Sequence, residues 1–467
     1  KFHEIINYIS FKLDCLKEQE EIGITLDKRL CETELHNLEF LLEEKTSSLA
    51  GLMTPVLEKE IPKKPYKKDG TLSATGMRWL NLLKEKGLPL DSKAIYAKGN
   101  PGSHVQLKAW LLTLGWVPET FKESKATGEM VAQVSLPFGG GICPSVKRLY
   151  RSTPTLESLE GYFVAKHRLG IFKSYLDSEK DPKKGNGSGK VYATAHGFTN
   201  TLRLQHSKPI VNLPGVKKFY GKQIRSALTV PNDSYTMLGS DISGLEDNTK
   251  MHWMYFFDPD YVNTMKVPGF DGHIDIAIFA NLMSENEAKF FKKITKRKDE
   301  LGKNFKFESS NEEKVYEFLS GVRSNAKTVN FGGVYGIGPH KLAGQLNISL
   351  EEATKLHTAY WERNHAVKKV ADACQVKKVM GQMWLYNPIS KFWYFLKEDK
   401  DKFSTLNQGS GVYVFDCWVM ECRRRFIKIL LQYHDELMTI CKNDNVKDTS
   451  LKLKQAMEAV NNTLKLN

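Results

Sequence analysis

The stretch IKILLQYHDELMTIC (427–441) constrains this chain most. Two apolar runs flank a charged triplet, a pattern that predicts strand, tight turn and strand, with Asp435 and Glu436 at the turn. A second stretch, SYTMLGSDIS (234–243), reads as a buried strand running into Asp241. Aspartates at strand ends, far apart in sequence, can converge on one edge of a sheet. Two converging carboxylates with oxygen donors nearby suit Mg²⁺, which takes few protein ligands and fills its shell with water and phosphate oxygens. Two such ions about 3.5–4 Å apart can activate an attacking oxygen and stabilise a leaving one. Acidic residues at turns are also common, so neither aspartate decides the matter alone.

A third stretch, RSNAKTVNFGGVYG (323–336), sets two cations and two rings four residues apart: Arg323, Lys327, Phe331 and Tyr335. Residues at that spacing share one helix face and rise about 6 Å per step. The order matches a nucleoside triphosphate, with phosphates at Arg323 and Lys327, sugar at Phe331 and base at Tyr335. A solvated cationic turn followed by a core aromatic turn is the plainer alternative. Gly332, Gly333 and Gly336 weaken the helix by roughly 1 kcal/mol each relative to alanine, which suits a base packing on bare backbone or a helix that moves.

Lysine and arginine number 68 against 54 acidic residues, a net charge of +14 that suggests a polyanionic partner. No apolar run approaches the roughly 20 residues of a membrane span, and no signal-peptide core is visible, which favours nucleic acid over a membrane. The seven cysteines are scattered and never spaced CxxC, so a zinc site or disulfide framework is not expected. GNGSGKV (185–191) lacks the spacing and the Ser or Thr of a phosphate loop and reads as a flexible loop. Helical patterns cover 1–48 with a break near Gly23 and Thr25, then 104–115, 155–178, 274–380 and the C-terminal stretch; 54–76 reads as a loop or basic arm.

KTVNFGGVYG with its upstream arginine resembles the fingers helix of family A DNA polymerases, the group of bacterial polymerase I and many tailed-phage replicases. DISGLE (241–246) resembles that family's first palm motif and QYHDE (432–436) its last, in the family's order. TLRLQHSKPIVNLPGVKKFYGKQIRSAL (201–228) is similar to the segment before the first motif, especially in phage replicases, and NQGSG (407–411) to the glutamine region. EIGITLDKRL (21–30) and NPGSH (100–104) look like thumb landmarks.

The resemblance implies an α+β right-hand polymerase. Its helical thumb would span 1–200, an antiparallel-sheet palm 201–250 and 400–467, and helical fingers 251–399. Asp241 and Asp435 would bind two Mg²⁺ ions (Mn²⁺ being the other candidate), with the Ile242 carbonyl as a further ligand and Glu436 in support. Glu246 would cover the sugar's 2′ position and exclude ribonucleotides. Arg323, Lys327 and His273 would reach the triphosphate, Lys327 also donating a proton to pyrophosphate, while Phe331 packs on the sugar and Tyr335 stacks near the templating base. Arg203, Gln408 and His434 would contact the minor groove at the primer end. His273 could equally be a surface or core histidine, and Gln408 a helix-surface amide.

Implied partners are a DNA primer–template and dNTPs, with a processivity factor or separate proofreading exonuclease possible. The chain would act as a monomer in the cytoplasm, of the host if phage-encoded. Asp247 and Asn248 stand where the family usually has Leu-Arg, and Lys250 is a weak substitute for that arginine. DSE (177–179) reads as solvated surface, so no exonuclease is expected. Two rivals are a single-subunit RNA polymerase, which Glu246 opposes, and a catalytically inactive DNA-binding processivity subunit.

Overall fold

A computed structural model describes residues 2–124, 126–136, 141–346 and 348–466. Backbone contacts gather the chain into two units, Lys1–Leu26 with Ser178–Leu213 and Leu228–Asn467, and Asp27–Asp177 with Pro214–Ala227. Residues 1–26 and 178–200, grouped with a thumb by resemblance, fall in the first unit. Among the described residues no helix is long and apolar enough to cross a membrane.

The second unit is mainly helical. Asp27 caps the helix Lys28–Ala50 by accepting from the Leu30 amide. Leu49, Leu107, Trp110, Leu111 and Trp116 form its main core, and Trp79, Leu83 and Ile95 a smaller one. The expected basic arm is partly ordered, since Val56–Glu60 is a strand paired with Ala94–Ala97.

In the first unit the break in the N-terminal helical pattern is a strand. The helix Phe2–Ile22 stops at Gly23 (φ +65°), and Ile24–Leu26 lies between Lys190–Val191 and Leu228–Thr229 as the middle strand of a small sheet. The DSE triplet is only partly solvated. Glu179 is fully buried, its Oε1 accepting from the Gly189 amide while its carbonyl accepts from Gly187, so it holds the glycine turn at 185–189.

Two three-stranded antiparallel sheets dominate this unit. The first runs in the order Tyr235–Asp241, Glu436–Lys442, Ile429–Tyr433. The 235–241 strand is its edge. With a single neighbour it is only partly buried, and Gly239 and Asp241 are exposed, so the expectation of a buried strand fails. The helices Lys402–Arg424 and Val446–Leu464 cover the sheet through Val414, Trp418, Leu453 and Val460, packed with Leu437 and Ile429.

The second sheet joins Val376–Val379, Gln382–Asn387 and Phe392–Leu396, where the reading of 251–399 expects helix. Met380 (φ +50°) and Gly381 (φ +76°) form the two-residue turn with both φ positive that suits the twist of a hairpin. Alternation in QMWLYN and FWYFL then fixes which side chains face inward.

Candidate active site

The hairpin forms as its sequence predicts. Tyr433 pairs with Glu436, leaving His434 and Asp435 as the turn, with His434 at φ +67°. The neighbouring strand sets Asp241 opposite Glu436, and the Ile242 amide donates to the Asp435 carbonyl at 3.1 Å. The two aspartates, almost two hundred positions apart, thus end on one sheet edge. Burial, then the nearby charge of Asp435, pushes the Asp241 carboxyl above its ordinary value. Two carboxylates held against their mutual repulsion fit a cation between them. No group of three or more His, Cys, Asp or Glu among the described residues is arranged to hold a metal. Two carboxylates and a carbonyl match a cation that keeps several waters. The Ile242 carbonyl, the expected third ligand, accepts from the Leu245 amide at 3.2 Å and retains a second lone pair.

Glu246 lies in the first turn of the helix Leu245–Tyr255, which starts at Gly244 with left-handed backbone (φ +60°). Burial raises its carboxyl; the Arg203 guanidinium opposes this, while Asp247 and Asp435 add to it. The Asn407 amide donates to the Glu246 carbonyl at 3.0 Å and ties the 245–255 helix to the 402–424 helix.

The cation–ring ladder stands on the helix Ser310–Val334, with Tyr335 as its C-terminal cap residue rather than inside it. Arg323 donates through Nε to Asp271 at 2.8 Å. Burial would raise Asp271, but the Ile274 amide, Arg323 and the His273 amide outweigh it and hold the carboxyl below its ordinary range. Asp271 also caps the helix Gly272–Phe279, which places His273 against the ladder: its ring lies 5.9 Å from Phe331 and its Nδ1 3.0 Å from Asn330 Nδ2. Burial lowers the pKa of His273, Asp271 opposes, and Arg323 and Lys327 lower it further. Lys327 is exposed, its Nζ 5.8 Å from the Phe331 centroid.

Two adjoining hollows share Glu246, Asp247, Phe331 and Tyr335. One, of about 350 Å³, adds Lys250, Asp271, His273 and Arg323; the other, of about 450 Å³, adds Arg203, Gln408, His434 and Asp435. Gln408 Nε2 donates to the Tyr335 hydroxyl at 2.7 Å. Burial and the Glu246 charge raise the Tyr335 pKa. Asp241, Ile242, Glu436 and Lys327 line neither hollow; the first three sit at the sheet end beside them.

Three contributors were not singled out from sequence. Asp271 holds Arg323, and its place before an apolar run is a helix-start signal that could have revealed it. Asn330 bridges His273 and the Gly272 carbonyl. His206 lies 5.9 Å from the His434 ring, a tertiary contact with no local signal. Lys250, the weak arginine substitute, is buried and donates to Asn364 Oδ1 at 2.7 Å; burial lowers its pKa to about 8, against the pull of Asp247 and Asp275.

The ladder and the hairpin both fall within residues 274–467, the stretch that matches the family model described as DNA polymerase family A. Asp241, Glu246, His273 and Arg203 lie upstream of that segment. The chain is similar to the DNA-directed DNA polymerase of Enterobacteria phage T3, 20% identical over 76% of this chain and 48% of that protein. DNA polymerase I of Helicobacter pylori is 25% identical over 56% of this chain and 27% of that protein. The chain therefore spans about half or less of these relatives' length. The POL domain of Pol1 from M. smegmatis, solved in complex with DNA primer-template and dNTP, superposes with a TM-score of 0.63 at 18% identity over 96% of this chain and 66% of that one. The segment that matches the family model thus sits in a chain that shares that domain's α+β fold.

Proposed function

We propose that this chain is a template-directed DNA polymerase that adds dNTPs to a DNA primer 3′ end. One observation carries the reading: Arg323, Phe331 and Tyr335 line hollows that also expose Glu246 and Asp435, with Asp241 at the adjoining sheet end. In this reading the carboxylate sheet is the palm, the helices from 251 to 373 are fingers, and the helical second unit is the thumb.

Asp241, Asp435 and the Ile242 carbonyl would hold Mg²⁺, which supplies charge neutralisation for phosphoryl transfer. The chain's own residues position and select. Arg323 exchanges Asp271 for the triphosphate, Lys327 and His273 complete the phosphate grip, and Lys327 hands a proton to the leaving pyrophosphate. Phe331 packs on the sugar while Glu246 closes the 2′ side. Tyr335 is held by Gln408 until a base pair displaces it. Arg203, Gln408 and His434 contact the primer-terminal minor groove, where acceptors are nearly sequence-independent. Positioning and electrostatics of this kind account for most catalysis of phosphoryl transfer.

Primer extension with dNTPs against rNTPs, with Asp435→Ala as control, tests the assignment. Extension with dNTPs that Asp435→Ala abolishes is expected. Equal use of rNTPs would favour an RNA polymerase, and no extension by either protein would leave a DNA-binding subunit.

A further inference from the structure

The sheet of residues 376–396 has two unlike faces. Inward point Leu385, Tyr394, Leu396 and Phe392, all buried in the cores that include Phe403, Leu406 and Tyr8. Outward point Trp384, Tyr386, Trp393 and Phe395, each partly exposed and none in those cores. The outward rings pair across the strands, Trp384 with Phe395 at 5.9 Å and Tyr386 with Trp393 at 5.2 Å between centroids. Lys377 Nζ lies 3.9 Å from the Trp393 centroid. Residues 376–397 hold four lysines (377, 378, 391 and 397) and no aspartate or glutamate.

Cross-strand aromatic pairing alone stabilises a sheet by up to about 1 kcal/mol per pair. It does not explain why rings are spent on the solvent face, nor why every charged residue within 376–397 is a lysine. A sheet face of exposed rings in a cationic rim suits unpaired nucleic acid, whose bases stack on the rings while its phosphates meet the lysines. Duplex DNA, with its bases already stacked on one another, would use only the lysines.

We propose that the outer face of this sheet is a stacking platform for single-stranded DNA, with Trp384, Tyr386, Trp393 and Phe395 as the base-contacting rings. Identifying that strand as the unpaired template rests on the polymerase reading; the binding itself does not.

Photocrosslinking of the unaltered chain tests the platform. An oligo(dT) of about 20 nucleotides carrying 5-iododeoxyuridine is irradiated with the protein, and the crosslinked peptides are mapped by mass spectrometry. Crosslinks on the 382–387 and 392–396 strands are expected; crosslinks confined to other segments overturn the proposal. In parallel, Trp384→Ala with Trp393→Ala is expected to weaken oligo(dT) binding, read by fluorescence anisotropy, about tenfold or more. Blunt duplex binding should be unchanged, and Trp384→Phe with Trp393→Phe should retain most of the affinity. Unchanged oligo(dT) binding, or an equal loss for duplex, sinks the platform. Crosslinking without primer extension would leave the platform standing and remove the polymerase reading; extension without crosslinking would do the reverse.

Discussion

The two larger three-stranded sheets of the first unit use the same architecture in opposite ways. The 235–241/436–442/429–433 sheet presents carboxylates at one end and spends its strands on packing, with Ile429, Leu431 and Leu437 buried. The 376–396 sheet has no carboxylate and presents rings on one face, burying the other. At a strand end a side chain is freed from alternation, so converging charges can meet without disturbing the core. On a face, period-two alternation separates the exposed set from the buried one. Function at an end should therefore be separable from stability, whereas function on a face shares its strands with the core.

The sharpest test of that separation is Asp435→Ala. Primer extension is expected to fall by on the order of a thousandfold or more, while the thermal midpoint stays where it was, because the residue sits in a turn and its loss relieves Asp241 of a like charge. A matching loss of stability would show that the sheet end is part of the core. The face sheet should behave differently on its two sides. Leu385→Ala, fully buried, is expected to cost about 2–5 kcal/mol by urea denaturation, and Trp384→Ala, its outward neighbour, about 1 kcal/mol or less. Equal costs would mean that the outer rings are packed as tightly as the core.

An intermediate effect is expected at His206, which lies beside His434 at the end of the carboxylate sheet. Burial, with the His434 ring and Arg203 beside it, lowers the His206 pKa from 6.5 to about 4. The unfolded chain then takes a proton near pH 6.5 that the folded chain refuses until about pH 4. Stability therefore falls as pH drops through that window and is unaffected by this group above it, by at most about 3 kcal/mol. The urea midpoint of His206→Gln should fall less between pH 7 and pH 4.5 than that of the unaltered chain. Parallel profiles would show that the ring is already open to solvent.

What was legible in the sequence follows the same distinction. The hairpin around HDE was readable because a two-residue turn between apolar runs is a local signal, and the ladder because four-residue spacing survives in any helix. The resemblance brought Arg203, Gln408 and His434 to attention, and the fold sets them around one hollow. The 376–396 sheet was missed even though QMWLYN and FWYFL alternate, since the runs are short and sit between helices. Glu179 was misread because its burial comes from a turn of glycines ten residues on, a contact that no local pattern encodes. The Asp271–Arg323 pair spans 52 positions and leaves no trace in the local pattern of the ladder helix.

A last pair of effects concerns the glycines of the ladder helix, where end and face differ again. Gly333 lies on the buried face: an added Cβ would stand 2.3 Å from Tyr360 Cε1, and Tyr360 is itself fully buried. Gly332 is nearly as confined, at 2.7 Å from Ile337 Cγ2. Gly336 lies beyond the helix end with open space around it, but its φ of +66° lets the Ile337 amide reach back to the Gly332 carbonyl and stop the helix. Packing and termination account for these glycines without a base or a moving helix. Gly333→Ala should cost about 1–3 kcal/mol through overpacking, and Gly336→Ala about 1 kcal/mol through the left-handed backbone alone. Nucleotide selection in Gly336→Ala should follow stability. Misincorporation rising while the urea midpoint holds would return to Gly336 the role in nucleotide choice that its surroundings do not require.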